Sequence, residues 1–427
     1  MRKFIIGLLI FLLLLVLFLP QIASTSLGKS FFIKSIELKT GARIEVESLT
    51  LSWLGPQKFH NVQWSRDQVS GNLEEFQIKA PFWSFSGPFH LTNGSLVYKG
   101  AEVKQIEGQI EGNDFDLRGI TAQGHLSLKG KIETKYNFDI LVDVKNFPAL
   151  ALDEIVGPTL DLKGSVKMSK SHGSIDLIIG AANLKTHLIG TLSERTFTLN
   201  APLEAAIHLT PQLSALLLKD TNPLFLTGVE AQNPITLRVE PKDFSFPLPY
   251  SLDKLKVGKA TLNLGKVKCQ NGKSLAALIS LLNVSRLSSV REMDVWFTPV
   301  TFQIDRGILQ SGRMDLLLAD SIHLCTWGNV NLIKDQLDMI LGLPADTLRQ
   351  SFGIKNLSEN YVLKIDVRGS TKEPDIATGP AGAKIAALLA AGQIPKKGVF
   401  GGIVDIITKP KEDEDIPPAQ RPFPWEL

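Results

Sequence analysis

The chain has 427 residues, of which 44% are hydrophobic, with nearly equal numbers of basic and acidic residues, 46 and 43. This length supports one large or two ordinary domains with their own cores. The net charge of +3, with scattered basic residues and no aromatic-basic stripe, excludes a protein that binds nucleic acid through a strongly basic surface.

An apolar run from Phe4 to Leu19 opens the chain, directly after Arg2 and Lys3. As a helix extended through the interface by residues 20–23, it predicts a membrane anchor at residues 1–24, formed by one N-terminal transmembrane helix. The anchor residues are Phe4, Leu8, Leu12, Leu15 and Leu19. The preceding basic residues predict a cytoplasmic N-terminus and a body across the membrane. Small residues at 23–25 leave a cleaved signal peptide as the alternative, and either interpretation exports the body.

Alternation of apolar and polar residues dominates the rest of the chain. Phe138, Ile140 and Val142, for example, face one way, while Asp139 and Asp143 face the other. Since the side-chain period of a strand is two, each such segment has one apolar and one polar face. Glycines between the segments predict hairpin turns, above all at the Asn-Gly dipeptide 93–94. The glycines assigned to turns are Gly94, Gly100, Gly108, Gly112, Gly119, Gly124, Gly130 and Gly164.

The expected fold is mainly β, a long curled antiparallel sheet, or β-groove, with a few short amphipathic helices. The helices are predicted at residues 210–219, 274–283, 344–352 and 380–391. A Pro-rich junction at 219–250 separates an N-terminal β-groove half, 25–218, from a C-terminal β region with short helices, 251–392.

The C-terminal tail, residues 393–427, is predicted to be disordered, because the chain is polar and Pro-rich from Lys409 onward. Phe423 and Trp425 near its end are aromatic residues that a solvated tail does not need. They are candidates for a docking motif, with an inert tail as the alternative.

The sequence carries none of the common catalytic motifs, such as Gly-x-Ser-x-Gly, His-Glu-x-x-His or the Walker A loop. Its seven histidines have no metal-ligand spacing. We therefore predict a protein that is not an enzyme and has no catalytic, cofactor-binding or metal-binding residues, and no cofactor. Cys269 and Cys325 lie far apart, and two buried thiols are favoured over a disulfide.

The recurrent apolar face must be hidden from water. Two sheet faces can cover each other in a sandwich or closed barrel, or lipid chains can cover the concave side of a curled open sheet. Periodicity alone does not separate the two, although a glycine-spaced meander favours the open sheet. The candidate lipid-contacting residues are Phe138, Ile140, Val142, Leu237, Val239, Leu316, Leu318, Met339, Leu341 and Ile365.

Segments at both ends of the body resemble a known family. Residues 44–53 (IEVESLTLSW) after the anchor, 300–307 (VTFQIDRG) and 363–370 (LKIDVRGS) resemble the AsmA-like family. The resemblance implies a repeating β-groove related to chorein-type bridge-like lipid transfer proteins, in a cell envelope with two membranes.

These patterns lead to one main hypothesis. The chain is expected to be a single-pass inner-membrane protein with its body in the periplasm of a diderm bacterium. There it would bind and conduct phospholipid acyl chains toward the outer membrane, in envelope lipid homeostasis. Its partners would be membrane lipids and an outer-membrane or periplasmic protein, and no nucleic acid. The alternative is a periplasmic scaffold for outer-membrane protein assembly.

Overall fold

The computed structural model divides the chain into two compact units, Met1–Ala182 (unit 1) and Asn183–Leu427 (unit 2). The predicted junction at 219–250 therefore falls inside unit 2. The residues described are 18–81, 87–98, 101–121, 123–134, 136–149, 153–211, 213–214, 228–270, 282, 290–355, 357–392 and 416–427.

Unit 1 is a meander in which each strand pairs antiparallel with the next along the chain. Its strands are β1 Arg43–Thr50, β2 Gln57–Arg66, β3 Val69–Ile78, β4 Phe89–Tyr98, β5 Ala101–Glu111, β6 Asp114–Thr121, β7 His125–Thr134, β8 Asn137–Pro148, β9 Thr159–Ser169 and β10 His172–Ala181. Its helices are α1 Leu19–Ala23, α2 Ser26–Thr40 and α3 Asp153–Val156.

Unit 2 has shorter strands and two described helices that contact the sheet. Its strands are β11 Leu184–Ser193, β12 Thr196–Leu199, β13 Leu203–Ile207, β14 Gly228–Ala231, β15 Ile235–Val239, β16 Phe246–Pro247, β17 Lys256–Asn263, β18 Lys266–Gln270, β19 Glu292–Phe297, β20 Val300–Asp305, β21 Ile308–Leu318, β22 Ile322–Asn331, β23 Gln336–Pro344, β24 Val362–Gly369 and β25 Pro374–Ile376. Its helices are α4 Ala345–Phe352 and α5 Thr378–Gly392.

Strand β21 is the point at which the sheet of unit 2 forks. Its first part pairs with β20, where Leu309 lies opposite Ile304, and its last part pairs with β19, where Leu316 lies opposite Phe297. A register shift between Ser311 and Met314 separates the two parts. One branch continues from β20 through β17, β15, β13 and β11, and the other from β19 to β18 and β14. On its other edge, β21 leads through β22, β23 and β24 to β25.

The prediction of a mainly β, antiparallel and open sheet is confirmed, because the pairings among the described strands are antiparallel and do not close a barrel. The helices expected at 344–352 and 380–391 are present as α4 and α5. Apart from Leu282, the helix expected at 274–283 lies outside the described residues, as does most of the one at 210–219.

Most of the predicted anchor, including Phe4, Leu8, Leu12 and Leu15, also lies outside the described residues. Leu19 is described and begins α1, where its side chain is exposed. Among the helices that the structure describes, none combines the length and apolar character needed to cross a membrane.

The turn predicted at Asn93 and Gly94 is wrong, because both residues lie inside β4. Asn93 has a positive φ of 47°, and the pairing of β4 with β5 shifts on both sides of Gly94. An extra residue in one strand forms a bulge, and Asn tolerates the left-handed backbone that the bulge requires. Of the other glycines, Gly108, Gly119, Gly130 and Gly164 lie within strands, Gly112 and Gly124 lie in strand connections, and Gly100 is outside the described residues.

Helix α2, which the sequence analysis did not predict, covers the free edge of β1. Lys29 Nζ donates to the carbonyl oxygens of Val46, at 2.9 Å, and Glu47, at 2.8 Å. Glu37 Oε1 accepts from the Ile44 N–H at 2.8 Å. These bonds satisfy backbone groups that an edge strand would otherwise offer to another chain.

Both cysteines are free and buried, as the sequence analysis favoured. Burial raises the pKa of Cys269 to about 12 and raises the pKa of Cys325 as well. Neither thiol is therefore primed as a nucleophile, since the thiolate is the reactive form.

Candidate functional site

The apolar face of unit 1 is a continuous surface formed by alternate residues of β6 to β10. Ile140 lies opposite Gly130 of β7 and Val166 of β9, and Val142 lies opposite Leu128. Directly opposed residues share a face. The face comprises Leu117, Leu126, Leu128, Phe138, Ile140, Val142, Val144, Leu160, Leu162, Val166, Met168, Ile175, Leu177 and Ile179. All of these side chains except the buried Val144 are half-buried.

The opposite face of the same strands is polar and solvated. Lys167 pairs with Asp139 across β8 and β9 at 2.8 Å, and Lys129 pairs with Asp116 across β6 and β7 at 2.9 Å. A hydrogen bond from Lys129 is the largest cause that lowers the pKa of Asp116. Leu141 lies on this polar face and is 57% exposed. Two neighbouring apolar residues of β8, 140 and 141, thus face opposite sides of the sheet.

Glycines within the strands bring the backbones unusually close on the apolar face. A Cβ built on Gly130 would lie 2.0 Å from the Asp139 carbonyl oxygen, and one on Gly164 would lie 1.9 Å from that of Asp176. A glycine inside a strand marks such a close approach or a bend. Bulges at positive-φ residues, including Asn146 of β8, add to the local bending.

A cavity of about 460 Å³ lies at the end of this surface where β7 meets β8 and β9 meets β10. Phe138 and Met168 contribute apolar walls, while Lys131, Lys167 and His172 line its polar side. Glu133 and Asp139 line it as well, and Asp139 pairs with Lys167, so the apolar face meets a rim of mixed charge.

The predicted lipid contacts of unit 2 have a different environment. Leu316, Leu318, Met339, Leu341 and Ile365 are all 0–1% exposed and form part of a close-packed core. Val239 is also buried, and Leu237 is half-buried. Of the ten candidates, Phe138, Ile140, Val142 and Leu237 are thus the ones that keep partial exposure.

A cluster of charged side chains lies on the other face of β21 and β22 in unit 2. The Arg313 guanidinium donates two hydrogen bonds to the Asp315 carboxylate, from Nη2 to Oδ1 at 2.7 Å and from Nε to Oδ2 at 3.0 Å. His323 bridges two carboxylates, Asp315 Oδ1 at 2.9 Å from Nε2 and Asp346 Oδ2 at 2.7 Å from Nδ1. Asp346, half-exposed on α4, is the only one of the four that is not buried. This cluster was not predicted from the sequence, in which the histidines show no metal-ligand spacing.

The geometry of this cluster requires a protonated His323. A neutral imidazole has one N–H, whereas both ring nitrogens here face carboxylate oxygens, which accept hydrogen bonds. Burial alone would lower the pKa of His323, but the hydrogen bonds to Asp315 and Asp346 outweigh it and raise the pKa above its ordinary value. Burial likewise acts to raise the pKa of Asp346, and His323 reverses that to a net lowering. With both nitrogens occupied, the ring is not placed to activate a hydroxyl or thiol.

Residues 416–427, here called the C-terminal segment, pack beside this cluster. Phe423 is only 2% exposed, and its ring centroid lies 4.9 Å from that of His323. Trp425 stacks on Phe423 at 4.7 Å. The predicted tail is thus ordered over these residues, and its docking candidates contact the chain's own sheet. The rest of the predicted tail, 393–415, lies outside the described residues.

Comparison with known proteins adds no further assignment, because no family model, curated protein or solved structure matches the chain. Across the described ranges, no group of three or more His, Cys, Asp or Glu side chains is placed to hold a metal ion. The apolar face of unit 1 and the ion cluster with its C-terminal segment are therefore the two candidate sites.

The stability of unit 2 is expected to fall as the pH rises above 6.5 and through the folded pKa of His323. The folded pKa of His323 lies above the unfolded value of 6.5, so its contribution is complete below pH 6.5 and disappears as the pH rises through the folded pKa. Asp346 has the opposite sign, with a contribution that is complete above pH 3.8 and disappears on acidification.

Chemical denaturation between pH 5 and 9 will measure this dependence, with His323→Gln as the comparison. Gln has no titrating group, so the variant should lose about 1.5–3 kcal/mol near pH 6 and lack the alkaline decline attributed to His323. An equal alkaline decline in both proteins would contradict the assignment.

Proposed function

We propose that this chain is a membrane-anchored protein of a two-membrane envelope that binds phospholipid acyl chains on the apolar face of unit 1. One observation carries the proposal: the apolar side chains on this face of β6–β10 are half-buried apart from Val144, whereas six of the seven candidate residues in unit 2 are buried, with Leu237 as the exception. A face that its own fold leaves half-covered needs an apolar occupant, and an acyl chain supplies one. We further propose that the protein conducts the bound phospholipid toward the outer membrane.

The dimensions of unit 1 support an acyl-chain ligand. The five strands of the apolar face, β6–β10, are spaced about 4.8 Å apart and extend over roughly 19 Å along the direction of hydrogen bonding. The acyl chains of one bilayer leaflet span about 15 Å, which is half of a 30 Å hydrocarbon core. Each buried methylene contributes about 0.8 kcal/mol, so even partial burial of one chain holds a lipid firmly.

The local backbone supports a sheet that curls around such a ligand. Glycines on the apolar face, such as Gly130 and Gly164, let neighbouring strands approach closely and bend. The mixed polar residues at the end of the face, among them Lys131 and the Lys167–Asp139 ion pair, suit a lipid headgroup, which would remain in water. The lipid is therefore expected to lie with its tails across the strands and its headgroup near this rim.

The test compares two neighbouring residues on opposite faces of β8. Ile140→Asp places a carboxylate on the apolar face, and Leu141→Asp places the same group on the polar face. A charge buried against acyl chains costs several kcal/mol, so Ile140→Asp should reduce lipid binding tenfold or more, while Leu141→Asp leaves it unchanged. Phospholipid bound to the purified protein and transfer of fluorescent phospholipid between vesicles are the measurements.

Circular dichroism and thermal melting of both variants decide how a loss is interpreted. If Ile140→Asp alone unfolds unit 1, this face is a closed core and the proposal fails. It fails also if the unaltered protein neither retains nor transfers phospholipid, or if the two variants reduce binding equally.

The alternative scaffold function relied on Phe423 and Trp425 as a docking peptide for another protein. Phe423 is buried against unit 2, so the pair is engaged within its own chain. This placement favours the lipid function over the scaffold.

A further inference from the structure

The C-terminal segment lies on a specific surface of unit 2, which we call the docking face. Ile416 packs against the apolar patch formed by Cys325, Trp327 and Val362, together with Ile340. These residues lie on β22, β23 and β24, on the same side of the sheet as His323. The first residue of the segment is thus anchored by apolar contact.

The Arg313 side chain connects the docking face to the segment through a backbone group. Two of its nitrogens, Nε and Nη2, hold Asp315, while Nη1 donates to the carbonyl oxygen of Pro417 at 3.1 Å. The Arg313–Asp315 pair is buried, so the guanidinium is fixed in orientation. A fixed donor that contacts a main-chain carbonyl recognises an extended peptide, not a particular side chain.

Aromatic contacts supply the side-chain recognition. Phe423 and Trp425 both meet the His323 ring edge to face, with centroid distances of 4.9 Å and 5.6 Å. The positive edge of a protonated imidazole is attracted to the electron-rich faces of such rings. The Arg421 guanidinium lies over the Phe423 ring, 5.1 Å from the ring centre. The side chains of the segment that carry the recognition are therefore the Arg421 guanidinium and the rings of Phe423 and Trp425, at alternate positions of the sequence.

The segment leaves part of the docking face unfilled. A cavity of about 730 Å³ remains between it and α4, lined among others by Arg313, Asp346, Arg349, Tyr361 and Pro418. A segment that belonged to a continuous core would exclude such a space, since protein interiors are close-packed. The contact resembles a bound peptide in a cleft.

We propose that the docking face is a peptide-binding site of unit 2 and that residues 416–427 are its intramolecular ligand. The ligand class is a Pro-rich peptide with an Arg-Pro-Phe-Pro-Trp core, in which the prolines limit the entropy lost on binding. This site is independent of the acyl-chain function proposed for unit 1, and either can fail without the other.

The experiment detaches the ligand after the full chain has folded. A protease site inserted after Lys411, outside the described residues, is cut in the purified protein, and the released fragment is removed by dialysis. A fluorescent synthetic peptide of residues 416–427 should then bind the cut protein with saturation. A peptide carrying Phe423→Ala and Trp425→Ala should bind at least tenfold more weakly, which corresponds to 1.4 kcal/mol. A peptide with Leu427→Ala is the matched control, because Leu427 is 95% exposed, and it should bind like the unaltered peptide.

Three results would overturn the proposal. The first is a fragment that leaves only when unit 2 unfolds, which would make the segment part of the core. The second is a cut protein that binds no peptide, and the third is one that binds the double-alanine peptide equally well. Light scattering of the uncut protein tests the intramolecular assignment, since a concentration-dependent dimer lost on cleavage would mean that the segment comes from a second copy.

Discussion

Replacing Arg313 with Met is expected to lower the free energy of unfolding of unit 2 by about 3–5 kcal/mol. Asp315 is 1% exposed and receives its shortest hydrogen bond, 2.7 Å, from Arg313, which also donates to its second carboxylate oxygen at 3.0 Å. The methionine fills the space of the arginine stem but leaves a buried carboxylate with His323 as its remaining cationic partner. Breaking a buried pair on one side costs more than the pair itself contributes, because the remaining charge is desolvated without compensation. Urea denaturation at pH 7 will measure the loss.

An exposed arginine provides the matched control. Arg306 pairs with Asp305 at 3.4 Å, and both side chains are largely exposed. Arg306→Met should change the free energy of unfolding by about 1 kcal/mol or less, as is usual for surface pairs. If Arg313→Met costs no more than this control, the buried cluster does not hold unit 2 together.

The alternation in the sequence was sufficient to predict strands, but not their irregularities. Strand β8, for example, follows the predicted pattern at Phe138, Ile140 and Val142. The Asn93-Gly94 dipeptide indicated only that the chain adopts a positive φ there, and both a hairpin turn and a bulge meet that requirement. The partner strands decide between the two, and they are distant in sequence.

Whether an apolar face is covered could not be predicted either. Strands β8 and β23 carry similar alternation, yet Ile140 is half-buried and Leu341 is buried. Unit 2 also packs a helix against its sheet: α5 contacts β24, and its Ile385 and Leu388 are buried. Coverage depends on long-range packing, which local periodicity does not contain.

Only part of the ion cluster could be predicted from local sequence patterns. The hairpin of β21 and β22 brings Asp315 next to His323, and polar residues within an apolar strand are a weak signal for such a pairing. Asp346 reaches the same histidine from a helix, and Phe423 comes from the end of the chain. Those two contacts have no local signature. The C-terminal composition indicated disorder, although its aromatic residues already pointed to a binding role.

Replacing Gly164 with Ala is expected to destabilise unit 1 by about 2–6 kcal/mol. Gly164 has φ +151°, a backbone conformation that side chains rarely adopt, and its added Cβ would lie 1.9 Å from the Asp176 carbonyl oxygen. The strained backbone accounts for about 1–3 kcal/mol, and displacement of the neighbouring strand accounts for a similar amount. Thermal and urea denaturation will measure the effect.

Gly180 on β10 provides the control with the same substitution. Its φ is not in the positive region, and an added Cβ would meet only the Asp161 Cβ at an ordinary 3.8 Å. Gly180→Ala should therefore be neutral or slightly stabilising, since alanine restricts the unfolded chain. Gly164 lies opposite Val142 and Leu177 on the apolar face, so the space it leaves open is on the surface proposed to hold lipid. If Gly164→Ala is as harmless as Gly180→Ala, β9 and β10 are not held in close approach at Gly164. The glycines would then not explain how this face curls around an acyl chain.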